Sequence, residues 1–204
     1  SASDYNERLE IYGPKGTKEK LDYVFKAFEF DNKLDIKAIE VKEGIIFEDD
    51  SLIVESFPMR HSVACVAYSI KERDKWKIEQ NKARVLKIPG ILIGKLQDGE
   101  SINYKGKEIT PKDVGKVYLG QKIGIILDTS LNENCYKVAN NADILVCEAV
   151  YSSDLYDKAE KYMHLTAKDA ALIANKSDVK KLVLAHFSIR YKNTHEIERD
   201  ARNY

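Results

Sequence analysis

KIGIILDTSLNENCYKVANNADILVCE, Lys122–Glu148, carries the reading of the fold. It opens on an apolar run, Lys122–Leu127, that stops at Asp128-Thr129. It closes on a second run, Ile144-Leu145-Val146-Cys147, that stops at Glu148. Short apolar runs bounded by polar residues read as strands, and the stretch between them, Leu131–Asn140, reads as a helix. The same grammar continues downstream. Thr166 is placed to N-cap a helix over Thr166–Ala174, with Asp169 at the capping-box position. Leu182–Ala185 is another apolar run and stops at His186, and Thr194 onward is helical. Strands alternating with helices predict a mixed α/β domain with its sheets covered by helices.

Upstream the pattern turns to hairpins. Leu9–Tyr12 reads as a short strand closed by Gly13-Pro14-Lys15-Gly16. Thr17 is placed to cap a helix to about Phe30, with Leu21, Val24, Phe25 and Phe28 on one face. Ile36–Val41, Gly44–Phe47, Leu52–Phe57 and Val63–Ile70 read as strands, with Asp49-Asp50 as a turn. Lys71–Lys95 differs: eight basic residues stand against three acidic ones, and Trp76, the single tryptophan, sits among them. This stretch is expected to leave the β core as an inserted basic arm over 71–96. Gly99 and Gly106 then flank a small polar hairpin.

Composition excludes several classes. With 204 residues, 44% hydrophobic and 32% charged, the chain has the make-up of a folded domain. One domain over 1–204 is expected, large enough to need no disulfide staple. Thirty-three basic residues balance thirty-three acidic ones. That excludes a uniformly basic nucleic-acid coat and leaves room for a local patch. No apolar run reaches the roughly 18 residues of a membrane span, and Ser1–Arg8 lacks the regions of a secretion signal. Cys65, Cys135 and Cys147 are scattered and odd in number. They read as buried free thiols of a reducing compartment, so a cytoplasmic location is expected.

Chemistry-bearing residues gather at element ends. His61 stands beside a strand, Asp128, Glu148 and His186 each follow one, and His164 precedes a helix. Ligand-binding loops collect at such junctions in α/β proteins. Each residue also has a structural reading: a hydrogen-bonded core histidine at 61, a turn cap at Asp128-Thr129, a strand-end cap at His186. Together, imidazoles and carboxylates after successive strands suit a borderline cation such as Zn²⁺. His195 lies in a polar helical tail and reads as solvated.

The order and wording of these segments resemble ribonuclease Z, the metallo-β-lactamase-fold endonucleases that trim the 3′ trailer of precursor tRNA. The resemblance runs from Ile11-Tyr12-Gly13-Pro14-Lys15-Gly16 through Pro58-Met59-Arg60-His61-Ser62-Val63, Lys87-Ile88-Pro89-Gly90 and Leu127-Asp128-Thr129. It continues through Cys147-Glu148-Ala149-Val150-Tyr151 and His164-Leu165-Thr166 to His186-Phe187-Ser188-Ile189-Arg190-Tyr191, the most specific signal. It implies an αββα sandwich with a protruding basic arm, and two Zn²⁺ per complete site. By this resemblance His61 ligates one zinc, Asp128 bridges both and His186 ligates the second. Glu148 and His164 form an acid/base pair. Ser188 and Arg190 could bind phosphate or orient His186, and a structural salt bridge is an equal reading for Arg190. Lys75, Lys77, Lys82, Arg84 and Lys87 hold RNA phosphates, and Trp76 stacks on RNA or anchors the arm. Precursor tRNA is the implied partner, a homodimer is expected and no membrane; open sheet edges would be covered by a dimer or by the missing N-terminal piece.

The sequence departs from the family in three places. Leu127 stands where Gly is usual, the family's His-x-His-x-Asp-His motif, which precedes the Ile-Tyr-Gly-Pro strand, does not occur, and the last strand that usually follows a helix like Thr194–Tyr204 is not present. The expectation is therefore a domain incomplete at its N-terminus, with reduced or absent zinc and no hydrolysis by this chain alone. Two alternatives accompany the nuclease reading. One is another metallo-β-lactamase-fold hydrolase of small esters or phosphodiesters. The other is a metal-free RNA-binding or dimerising module.

Overall fold

The computed structural model describes residues 7–27 and 35–204. In chain order the elements are β1 (Leu9–Gly13), α1 (Thr17–Ala27), β2 (Ile36–Glu40), β3 (Gly44–Glu48), β4 (Leu52–Met59), β5 (Cys65–Glu72) and β6 (Lys75–Ile78). There follow α2 (Gln80–Val85), α3 (Gly90–Gln97), β7 (Ile102–Tyr104), β8 (Lys107–Ile109), α4 (Pro111–Val114), β9 (Gly115–Tyr118), β10 (Lys122–Ile126) and α5 (Glu133–Ala139). The last are β11 (Ile144–Glu148), α6 (Tyr156–Tyr162), α7 (Ala167–Lys176), β12 (Leu182–Ala185) and α8 (His195–Ala201). No helix among the described residues is long and apolar enough to cross a membrane.

The chain divides into two compact units. The first comprises 1–49, 53–70 and 122–204. Its centre is a six-stranded sheet in the order β12-β11-β10-β5-β4-β3. β10, β11 and β12 run parallel, with Ile123 opposite Ile144 and Leu145 opposite Leu182. Parallel neighbours need crossover connections. α5 supplies one and packs on β10; α7 supplies the next and packs on β11 and β12. Gly124 permits the close approach of α5, since a Cβ there would lie 3.0 Å from the Val138 carbonyl oxygen. Ile126, Leu145, Leu165, Ile173 and Ile197 are fully buried between these elements. Because the three strands point the same way, Asp128, Glu148 and His186 emerge at one edge of the sheet.

The capping box stands as expected: Thr166 Oγ1 accepts the Asp169 N–H at 3.2 Å and an Asp169 oxygen accepts the Thr166 N–H at 2.9 Å. Both residues are buried. Thr166→Ala should therefore lower stability by about 1–2 kcal/mol, read as a lower urea midpoint at unchanged slope. A midpoint equal to wild type would show that the first turn of α7 is held by packing alone.

Some expectations are corrected. α1 begins at Thr17, whose hydroxyl donates to the Pro14 carbonyl at 2.6 Å instead of accepting from the helix. Gly13 is required beneath it, for a Cβ there would collide with Thr17 Oγ1. Phe28 and the end of that helix at Phe30 lie outside the described residues. Ile36–Glu40 pairs in parallel with β1, away from the hairpin strands. α6 went unforeseen, because among its seven residues only Ala159 is buried and no apolar period marks it. Cys135 and Cys147 are buried, and burial pushes the Cys135 thiol up to about 11 and Cys147 well above its ordinary value. Cys65 is half-buried.

The second unit comprises 50–52 and 71–121, and the stretch 71–96 lies within it. β6 and β9 pair antiparallel, with Trp76 opposite Val117 and Lys77 opposite Lys116. β7 and β8 form a hairpin through Lys105 and Gly106, both left-handed at φ 51° and 73°, the signature of a two-residue type I′ turn. Ile88, Leu96, Ile102, Ile109 and Val114 make its own small core. Trp76 is half-buried, and its indole nitrogen lies 3.7 Å from a Cβ built at Gly99.

Candidate active site

The site grows from the ends of the parallel strands. The chain turns sharply where β10 and β12 stop. Asp128 and His186 both adopt left-handed backbone, at φ 50° and 55°. Such conformations strain a residue that has a Cβ and collect at functional positions. The departure at Leu127 is accommodated, because the positive φ falls on Asp128 and Leu127 is 39% exposed.

Glu148 is the hub. Its side chain is fully buried. Oε1 accepts the backbone N–H groups of Thr129 at 3.1 Å and Leu165 at 2.9 Å. Oε2 accepts the Asp128 N–H at 3.2 Å and faces His164 Nδ1 at 3.0 Å and His186 Nδ1 at 3.1 Å. Three backbone donors thus fix the carboxylate, and the carboxylate fixes two imidazoles. Each imidazole that donates its Nδ1–H to Oε2 presents Nε2 away from the hub. Asp128 Oδ1 lies 3.3 Å from His186 Nδ1 and 4.0 Å from His164 Nδ1.

The donor atoms of Asp128, Glu148, His164 and His186 all lie within 4.8 Å of one another. Two imidazoles and two carboxylates form a nitrogen-and-oxygen donor set, which suits a borderline divalent cation. His61 stands next to this group, its ring centroid 5.1 Å from that of His164. Its Nδ1 is 3.0 Å from the Met163 carbonyl, which can only accept, so Nδ1 carries the proton and Nε2 keeps its lone pair. The neighbouring backbone is tied across the sheet: Ser130 N–H donates to the Arg60 carbonyl at 2.8 Å and Arg60 N–H to Thr129 Oγ1 at 3.1 Å.

Ser188 gives its N–H to the Val150 carbonyl at 3.1 Å, and Arg190 lies over the Tyr151 ring at 5.5 Å. In the second unit Lys75, Lys77, Lys82, Arg84 and Lys87 are all exposed, and Lys82 pairs with Glu79 at 3.3 Å. His195 is exposed in α8. Residues that sequence reasoning passed over line an open cleft of about 430 Å³ beside the histidines: Ser62, Tyr151, Lys158 and Tyr162, together with His61 and His164. Nothing in the spacing of Lys158 and Tyr162 marks them before α6 is known.

No protein-family model matches the chain. It is 35% identical over 195 residues to the ribonuclease Z of Leuconostoc mesenteroides, covering 93% of this chain and 61% of that protein. It is 35% identical over 205 aligned positions to the ribonuclease Z of Nitrosopumilus maritimus, covering 99% of this chain and 69% of that protein. Among solved structures it resembles the short form of human tRNase Z, with a TM-score of 0.61 at 20% identity, over 90% of this chain and 62% of that one. It also resembles the metallo-β-lactamase-fold protein YhfI of Bacillus subtilis, with a TM-score of 0.60 at 16% identity, over 96% of this chain and 58% of that one. The fold is therefore that of the metallo-β-lactamases. The chain spans about 61–69% of the length of these two curated relatives.

Proposed function

The chain belongs to the ribonuclease Z family, and on that premise we propose that it serves a metal-dependent endoribonuclease that removes the 3′ trailer of precursor tRNA by phosphodiester hydrolysis. The observation that carries the reading is the buried Glu148 carboxylate with an imidazole on either side, 3.0 and 3.1 Å away, beside Asp128. His61, Asp128 and His186 would hold the metal, zinc by the chemistry of the donors. When bound, it would supply an activated water and steady the phosphodiester.

The chain's own residues handle the departing oxygen. The protonated His164 ring keeps one N–H on Glu148 and presents the other to the leaving group. Ser188 and Arg190 contact phosphate. Lys75, Lys77, Lys82, Arg84 and Lys87 of the second unit grip the folded RNA by its phosphates, as shape-selective RNA recognition requires. A homodimer is the proposed assembly, and the free thiols fit the cytoplasm.

Two measurements test this. The intact protein carrying this chain, supplied with zinc, should cut 3′-extended precursor tRNA at the mature end, and a chelator should stop it. Uncut tRNA under these conditions would overturn the reading. Replacing Lys75, Lys77, Lys82 and Arg84 together by alanine should weaken tRNA binding and flatten its salt slope by roughly 0.7–0.9 for each phosphate no longer neutralised. An unchanged slope would remove these residues from the interface.

A further inference from the structure

α6 ends in a turn that serves two imidazoles at once. Met163 stands just past the helix in the left-handed region, at φ 58° and ψ 50°. Its N–H donates to the Glu160 carbonyl at 3.1 Å, and the next N–H, of His164, reaches back to the Ala159 carbonyl at 2.9 Å. These two bonds make the Schellman pattern, whose left-handed position usually belongs to Gly and sometimes to Asn. A methionine there is crowded by its own Cβ and stays only because both sides hold it. Upstream, Ala159 is the one buried residue of α6. Downstream, Leu165 is fully buried and gives its N–H to Glu148 Oε1 at 2.9 Å.

The peptide unit between Met163 and His164 is planar and trans, so its N–H and its C=O point in opposite directions. With the N–H fixed on the end of α6, the carbonyl is turned away from the helix, and it meets His61 Nδ1 at 3.0 Å. A carbonyl only accepts, so this bond keeps the proton on Nδ1 and leaves the lone pair on Nε2. The same turn starts the segment that seats His164, whose Nδ1 stands 3.0 Å from Glu148 Oε2 and whose ring centroid lies 5.1 Å from that of His61. Turning this one peptide over would break the bond to Ala159 and the bond to His61 together.

We propose that Met163 is a positioning residue, whose left-handed turn sets the tautomer of His61 and so makes Nε2 ready for a divalent cation. The role rests on the ribonuclease reading, with His61 as a metal ligand, and extends it to a residue outside the group of donors. The bond to His61 is made by the backbone, so the side chain at 163 matters through the conformation it permits. Glycine adopts this turn freely, and a β-branched residue resists it. A partner behind a metal-binding histidine fixes its ring and raises its affinity for metal.

The test uses the intact protein carrying this chain, first free of metal and in mildly alkaline solution, where imidazoles are neutral. Nitrogen NMR of the imidazoles should place the His61 proton on Nδ1 in wild type and in Met163→Gly, and should show mixed tautomers in Met163→Ile. Zinc affinity, read by competition with a chromophoric chelator, should fall by about 10–100-fold in Met163→Ile, the usual effect of losing such a partner. In Met163→Gly it should match wild type. Urea unfolding checks that each variant is folded. A wild-type proton on Nε2, a wild type that takes no zinc, an unchanged tautomer or zinc affinity in a folded Met163→Ile, or a loss in Met163→Gly equal to that in Met163→Ile would each overturn the role. If Met163→Ile does not fold, a glycine variant with the wild-type tautomer and zinc affinity supports the role, and one without them overturns it. Cleavage of precursor tRNA is followed in parallel. Zinc binding that depends on residue 163 in a protein that never cleaves supports the positioning role and overturns the ribonuclease reading instead.

Discussion

On the proposed reading, Glu148→Gln in the intact protein carrying this chain will lower precursor-tRNA cleavage by about four orders of magnitude, the scale seen when a catalytic histidine loses the carboxylate that orients it, in a protein that stays folded. The substitution preserves shape and changes one atom from acceptor to donor. Both placements of the new amide are poor. If the NH₂ group replaces Oε1, it confronts the N–H groups of Thr129 and Leu165 in a fully buried site. Each buried donor left without an acceptor costs about 1–3 kcal/mol.

If the NH₂ group replaces Oε2, it confronts the Asp128 N–H and both Nδ1 atoms. The imidazoles can answer by turning a lone pair toward it, so this is the cheaper placement. The proton then moves to Nε2 of His186, which loses the lone pair that a metal needs. The protonated His164 ring loses the acceptor of its second N–H and with it its orientation. Single-turnover cleavage measures the fall, and urea unfolding checks the fold. A rate within tenfold of wild type would show that Glu148 does not set the two rings.

His164→Ala will lower cleavage by about 10²–10⁴-fold, the usual worth of a positioned acid, with bound metal unchanged. The distinction matters because His164 stands inside the donor group and touches the same Glu148 oxygen as His186. An acid and a ligand are separated by metal content, not by rate alone. In the intact protein, His186→Ala should lose cleavage and metal together while tRNA binding stays largely intact. If His164→Ala also loses metal, His164 is a ligand; if it cleaves at the normal rate, it is not the acid.

The framework of the site was legible because each of three parallel strands ends abruptly on a residue that carries chemistry. Apolar runs stopping at Asp128, Glu148 and His186 mark both the strands and the edge where they gather. The capping box announced α7 for the same reason: its cause is local. What could not be read depends on distant partners. The proton on His61 is decided by the Met163 carbonyl, 102 positions away in the chain. The antiparallel β6–β9 pair joins Trp76 to Val117 with two helices, a hairpin and a short helical turn between them. α6 escaped notice because a helix that buries only Ala159 carries almost no apolar period. With it went Lys158 and Tyr162, which have no meaning until Tyr151 and His164 are placed beside them.

The backbone at Asp128 and His186 has a consequence for anyone who evolves this chain toward heat tolerance. Both positions sit at positive φ, where Gly, and to a lesser degree Asn, is the more comfortable occupant. A screen that rewards only soluble, folded protein will therefore drift toward glycine at these two turns and erase two of the four clustered donors. Stability and chemistry pull in opposite directions at the same two residues. A library selected for thermal endurance should hold both codons fixed.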